Sequence, residues 1–347
     1  MKHAFITGLS AISPQDTFGS TTLHKPTNAS TSNGHQAQLP DFKKHIPIRS
    51  LRRMNRFTRM GIATAFDALE QAKCHQPDAI IAATGLGCLE DTEKFLNVIA
   101  AGEENTLAPS SFITSTHNTL AGQLALLLTS DAYNFTYAHR GTAFENALTD
   151  GLMHLDEAKG KKITIVAADE LTPTLYAILQ RLKRTKYPVP TDVFHSGTKG
   201  IIPGEGACAL VLEDQPDHAI ARLDDVLIET TITQEILDGF LRNNGLNISD
   251  IDAVMTGMNG DVSEDDTYLT LHETYFPKKP LLAYKHLCGE YPTANAFGTW
   301  LCANMLHHNC LFTPAIIKND SSAPLKHLLL INHYKQEHYT LTLLRNV

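Results

Sequence analysis

The stretch GIIPGEGACALVLE, residues 200–213, places glycines and a proline directly before an unbroken apolar run, ACALVLE at 207–213. Glycine and proline punctuate a backbone, and a continuous apolar run of this length reads as a strand covered on both faces. Similar runs are AFIT near residue 5, AIIAATG at 79–85, NFTYA at 134–138, ITIVAAD at 163–169, AVMTG at 253–257 and HLLLINH at 327–333. Between them, helical spacing predicts helices over 58–73, about 118–128, 142–158, 173–184, 233–243, 266–275 and 292–306. Doubly covered strands alternating with helices imply a layered α/β architecture. A break near Asp214-Gln215-Pro216 divides the chain into residues 1–215 and 216–347, with no repeat at the level of residue identity. The stretches 14–48, rich in Ser, Thr, Asn, Gln and His, and 185–203, rich in Pro, Gly and Thr, read as surface excursions.

A chain of 347 residues with 43% hydrophobic content can bury one large core or two merged ones. The net charge of -8 argues against a nucleic-acid partner. The N-terminus MKHAFITGLSAISP lacks a signal-peptide layout, and no apolar run of ~18 residues follows, so no membrane association and a cytoplasmic location are expected. The six cysteines, with no CxxC pair, read as reduced core thiols. Arg49 to Arg59 supplies five arginines just before the first long helix. They read as a solvated helix start, or as an anionic docking face for a carrier protein or phosphate.

The segment YNFTYAHRGTAFENAL, residues 133–148, is a strand that turns sharply into a helix after Arg140-Gly141. Such elbows expose a nucleophile beside helix N-terminal amides. This one carries Gly141, Thr142 and Ala143, flanked by His139 and Arg140. A base pair between His139 and Thr142 is conceivable; the structural reading, with Thr142 capping the helix, is favoured.

Residues 200–213 closely resemble the G-x-x-x-G-E-G-A-x-x-x-V-L-E segment of β-ketoacyl synthases, the condensing enzymes of fatty acid and polyketide assembly. FITGLSAISP at 5–14, RRMNRFTRMGIATAFDAL at 52–69, NTLAGQLAL at 118–126, GKKITIVAADE at 160–170, IDAVMTGMNGDVSEDD at 251–266 and LLAYKHLCGE at 281–290 resemble further family segments in the same order. The resemblance implies a thiolase-like αβαβα fold of two similar halves and a dimer. It implies no cofactor and no metal. The family's acyltransferase chemistry uses a cysteine thiolate, two histidines and a glycine-rich C-terminal loop.

Each of those positions departs from the pattern. The cysteine position falls at Gly141 counting from Asn134 and at Ala143 counting from Gly160, with Thr142 the hydroxyl between them. The first histidine aligns with Gly257, eight residues before a retained Asp265. Lys285 and Gly289 match the second histidine motif, which puts Glu290 where histidine belongs, and a carboxylate there opposes a developing negative charge. INHYKQEHYTLTLL at 331–344 replaces the glycine-rich loop. The resemblance therefore points to a non-catalytic partner of the chain-length-factor type, similar to those of aryl polyene and flexirubin-type pigment assembly. It would pair with an active ketosynthase subunit and an acyl carrier protein. Two alternatives stand beside it. One is an enzyme with rewired acyl transfer or hydrolysis using some of His139, Thr142, Asp261, Lys285 and Glu290; the other is a self-paired homodimer that binds acyl groups or carrier protein without turnover. If Glu290 is structural, Lys285 is its expected ion partner.

Two weaker signals are discounted. NGDVSEDD alternates Asn259, Asp261, Ser263 and Asp265 like a calcium loop, but Glu264 and Thr270 occupy positions that such a loop gives to glycine and glutamate. HHNC at 307–310 reads as a helix end, with metal binding a minor possibility.

Overall fold

In the computed structural model, which describes all residues except 1–2, 24, 27–29, 32–33, 104–108, 191, 216 and 319–322, the strand from the opening stretch lies in the middle of one half of an 11-stranded sheet. Residues 1–215 contain β1 (Ala4–Ile12), β2 (Ser30–Thr31), β3 (Gly34–His35), β4 (Ala79–Thr84), β5 (Tyr133–Ala138), β6 (Lys162–Asp169) and β7 (Gly206–Glu213). Their helices are α1 (Ile48–Leu51), α2 (Arg56–Gln71), α3 (Leu89–Ala100), α4 (Pro109–Ser115), α5 (Thr119–Leu128), α6 (Ala143–Glu157) and α7 (Pro173–Arg181). Residues 216–347 contain β8 (Ala221–Glu229), β9 (Ala253–Thr256), β10 (Leu281–Ala283), β11 (Ile316–Lys318), β12 (His327–Tyr334) and β13 (His338–Arg345). The helices of that half are α8 (Gln234–Asn243), α9 (Val262–Tyr275), α10 (Lys285–Cys288) and α11 (Ala294–His308).

The sheet order is β11-β10-β9-β12-β13-β8-β1-β7-β6-β4-β5. From the β1–β8 junction outward, the two sides repeat one plan, two antiparallel pairings and then two parallel ones, and β11 adds an antiparallel pairing at the far edge of the second side. Three apolar clusters define the layers. One joins α2 and α5 to β4, β6 and β7; one joins α8 and α9 to β9, β10, β12 and β13. The third puts α6 and α11 between strands of both halves. Thus helices, sheet, helices, sheet and helices are stacked, the αβαβα layering that the resemblance implies. The central layer explains α11, which is buried continuously from Ala294 to Leu306 and has no polar face.

β8 escaped the sequence reading because ARLDDVLIE carries charges. The buried Asp224 is satisfied there by Arg222 at 2.5 Å and by Arg345 at 2.8 Å. Neither excursion is wholly on the surface. Gln15 is buried and donates to the Leu287 carbonyl at 2.8 Å, and the buried Lys186 donates to the hydroxyl and carbonyl of Thr198, each at 2.8 Å.

Close approach of α2 to β1 depends on Gly8, where a Cβ would lie 1.9 Å from the Ala68 carbonyl oxygen. Backbone cannot yield as a flexible side chain does. Gly8→Ala is expected to lose about 1–3 kcal/mol in urea unfolding, and Gly8→Val to prevent folding; wild-type stability in both would contradict this packing.

Candidate functional site

The glycines of the 200–213 motif have a packing reason. A Cβ at Gly204 would lie 2.1 Å from the Cys288 carbonyl oxygen, and one at Gly289 would lie 2.5 Å from the Gly204 Cα. This glycine pair lets the chain before β7 pair with Glu290, whose backbone exchanges hydrogen bonds with Gly204 and Ile202. Glu205 between them is fully buried, accepts from the amides of Ala37 and Leu171, and is ion-paired with Arg56. Arg56 is therefore turned inward, while Arg49, Arg52 and Arg53 remain exposed.

At the elbow, β5 ends at Ala138 and α6 begins at Ala143. Thr142 occupies the N-cap position, but its hydroxyl makes no capping bond. The cap comes from His139 instead: its Nδ1 accepts from the amides of Gly141 and Thr142, each at 3.1 Å. The Thr142 hydroxyl also lies 3.1 Å from Nδ1, so His139 and Thr142 do meet. That nitrogen is occupied by two backbone donors, which leaves no free base for Thr142. Burial, and then the neighbouring His338, lower the His139 pKa and favour the neutral ring.

The space around Gly141 and Gly257 is filled. A Cβ at Gly141 would lie 2.4 Å from the Tyr334 Cβ, so the end of β12 covers that position. A Cβ at Gly257 would lie 2.0 Å from Asn332 Oδ1 and 2.6 Å from the Tyr268 hydroxyl. Tyr268 donates to Asn332 at 3.1 Å, accepts from the His333 amide at 2.8 Å, and stacks on the His333 ring at 4.4 Å. Behind them, Tyr284 donates to Asn295, and Asn295 and Thr340 donate to the fully buried Glu145, whose pKa burial raises. In place of a glycine-rich loop, β12 and β13 are joined by a turn with Lys335 and Gln336 at φ 53° and 57°. Gln336 anchors that turn on the Ser263 carbonyl at 2.8 Å.

A cavity of about 550 Å³ opens beside this plug. Of the sequence candidates, Asp261, Lys285 and Glu290 line it, while His139 and Thr142 do not. Lys285, itself buried, holds Glu290 at 2.8 and 3.1 Å, and Asn259 donates to Glu290 at 2.9 Å. Asp261 caps α9, accepting from Ser263 at 2.9 Å, and also binds the Gly200 amide at 2.6 Å. Asp265 accepts from the amides of Asn259 and Gly260, and burial raises its pKa to about 6. His333, also on the wall, is pushed down to about 4 by burial and then by Lys285. Asp261 and Asp265 thus serve the backbone and Glu290 the side chains of Lys285 and Asn259, and no group of three or more His, Cys, Asp or Glu converges on a metal position among the described residues. At 307–310, His308 reaches the Thr21 hydroxyl at 3.0 Å. Sequence reasoning does not single out Asn332, His333, Tyr334 or Tyr268; the absence of glycines at 331–344 is the signal for the first three, and Tyr268 on α9 has none.

Residues 25–199 match the family described as beta-ketoacyl synthase, N-terminal domain, and the chain belongs to that family. No curated protein matches it. Among solved structures, the ishigamide ketosynthase/chain length factor is similar at 17% identity over 100% of this chain and 99% of that one, with a TM-score of 0.79. A beta-ketoacyl synthase from Burkholderia phymatum is similar at 16% identity over 100% of both chains, with a TM-score of 0.78. AntDE:AntF, a type II polyketide synthase acyl-carrier protein in complex with its ketosynthase, is similar at 15% over 100% of both, with a TM-score of 0.73. These likenesses establish the thiolase-like ketosynthase fold.

Two outcomes are expected. Gly141→Cys should destabilise by about 1–3 kcal/mol through the Tyr334 clash, and Tyr334→Gly in the same chain should recover most of that loss; additive losses in the double-mutant cycle would contradict the contact. Glu170, on the cavity wall, accepts from the Glu90 amide at 2.8 Å, and burial raises its pKa from 4.5 to about 7. A raised carboxyl pKa means that the folded state binds the proton more tightly. Its stabilisation is complete below pH 4.5 and lost as pH rises through about 7. Relative to Glu170→Gln, the wild-type chain should therefore lose on the order of 2 kcal/mol between pH 5 and 8; parallel melting curves across that range would refute the assignment.

Proposed function

We propose that this chain is a non-catalytic partner subunit of the chain-length-factor type, paired with an active β-ketoacyl synthase and an acyl carrier protein in fatty acid or polyketide assembly of the aryl polyene kind. The reading rests above all on Tyr334, which fills the space in front of Gly141, one of the two positions, with Ala143, at which the family's cysteine would fall. A covalent acyl intermediate needs both a nucleophile and room beside it. The glycine at 257, walled in by Asn332 and Tyr268, removes the first acid/base position for the same steric reason. Residues 1–215 and 216–347 are taken as its two ketosynthase-like halves. Exposed Arg49, Arg52 and Arg53 offer an anionic partner a docking face on a chain whose net charge is -8.

A partner surface is supported by what β5 leaves open. β5 is an edge strand, paired among the described residues with β4 alone, and unpaired edges invite pairing with another chain. Around it Phe135, Leu126 and Met153 are 46%, 73% and 56% exposed, and Phe112 and Ile113 on α4 are 58% and 64% exposed. Burial of apolar area is worth about 25 cal/mol per Å², so this face favours a dimer. Isologous symmetry also permits a homodimer when the partner is absent. One observation keeps the rewired-enzyme alternative open: the Lys285–Glu290 pair faces the cavity.

Co-expression with an intact ketosynthase from the same gene neighbourhood tests the reading. A one-to-one complex by native mass spectrometry is expected, with product length changing when this chain is omitted; separate homodimers and unchanged products would overturn it. The purified chain alone should form no acyl adduct and no condensation product. An adduct at residues 139–143, or turnover lost in Glu290→Gln, would establish the rewired enzyme instead.

A further inference from the structure

The cavity beside the elbow carries an uneven charge balance. Its carboxylates are engaged within the chain: Glu290 by Lys285 and Asn259, Glu264 by Asn259, Asp261 by the Gly200 amide, and Glu170 by the Glu90 amide. Apart from Lys285, its cations are not. Arg140, Lys183, Arg184, Lys199 and Lys335 make no ion pair among the described residues. Arg140 precedes Gly141 and Lys335 follows Tyr334, so these two flank the contact that closes the elbow. Another part of the lining is apolar, formed by Leu86, Leu171, Leu175 and Leu179, with Ile178 and Leu182 left 50% and 62% exposed on and just beyond α7.

Cations without ion pairs beside the exposed Ile178 and Leu182 fit an occupant with an anionic head and a hydrocarbon tail. The volume of about 550 Å³ falls within the ordinary range for small-molecule sites of about 300–1,000 Å³. We propose that the cavity binds a free long-chain carboxylate, its head group held by Arg140 and Lys335 and its chain laid along α7. This rests on the reading that the chain lacks condensation chemistry. With Tyr334 over Gly141 there is no nucleophile to reach, and a neutral thioester would leave the cations uncompensated. A carboxylate offers arginine the bidentate partner that its planar fork matches.

The test is fluorescence titration of the full-length chain with cis-parinarate, alone and in its complex with a co-expressed ketosynthase. One saturable site is expected, at least tenfold weaker for parinarate methyl ester and for the Arg140→Ala/Lys335→Ala chain. Ile178→Asp/Leu182→Asp, which alters side chains already in solvent, should weaken binding tenfold while leaving the far-UV spectrum unchanged. Absence of saturable binding, equal affinity for the methyl ester, or insensitivity to both paired substitutions would overturn the proposal. Failure to bind in a chain that still co-purifies with ketosynthase removes the ligand and leaves the partner reading standing. Binding by a chain that captures no ketosynthase supports the ligand and counts against the partner reading.

Discussion

The carboxylate of Asp169 joins the two halves of the molecule. One oxygen accepts from the amides of Gly85 and Leu86 at 2.8 and 3.3 Å and from the Thr84 hydroxyl at 3.0 Å. The other accepts from the amide and hydroxyl of Thr293 at 3.0 and 2.8 Å. The first set lies in the turn after β4, the second at the start of the central helix α11. Burial raises the Asp169 pKa, and these five donors counter it by stabilising the charge. A buried carboxylate without donors would cost several kcal/mol. The turn after β4 and the start of α11 are thus held in one mutual position, and with them Gly85 against Pro292 and the wall of the cavity.

Given that frame, the glycines beside the cavity have no open space around them. Tyr334 covers Gly141, while Asn332 and Tyr268 cover Gly257. Glu290 is compensated by Lys285 and Asn259. These contacts are coupled. Tyr268 binds both the Asn332 side chain and the His333 amide, and His333 Nδ1 in turn accepts the Gln336 amide at 3.4 Å, in the turn that presents Tyr334. Restoring a single catalytic residue would meet occupied space, because close-packed interiors leave few voids. The elbow persists because strand β5 and helix α6 are still needed, the helix as part of the central layer.

The cavity that remains differs in kind from the plugged elbow beside it. Its carboxylates are turned onto the protein's own donors, whereas Arg140, Lys183, Arg184 and Lys199 are exposed to solvent and Lys335 stands over the Tyr334 ring. Paired buried charges contribute geometry, and unpaired exposed ones contribute field.

Most of the strands covered on both faces were legible from apolar runs alone, since a strand buried on both sides can carry no polar alternation; β5 is the correction, an edge strand whose residues are exposed or half-buried although its run reads as doubly covered. Helix α6 and the elbow were legible too, as were the family segments and the pairing of Lys285 with Glu290, five residues apart across one turn. β8 was not, because the acceptability of Asp224 depends on Arg222 and on Arg345, more than a hundred residues away. The plug was not legible either. Spacing identified Gly141 and Gly257 as departures, but only the return of β12 beside β9 and β13 brings Tyr334 and Asn332 onto them. Local sequence determined which elements form and where the chain departs from the family's motifs, because periodicity and residue identity are properties of short segments. Which side chains fill the vacated space, and which charges go unpaired, was decided by tertiary contacts between segments far apart in the chain.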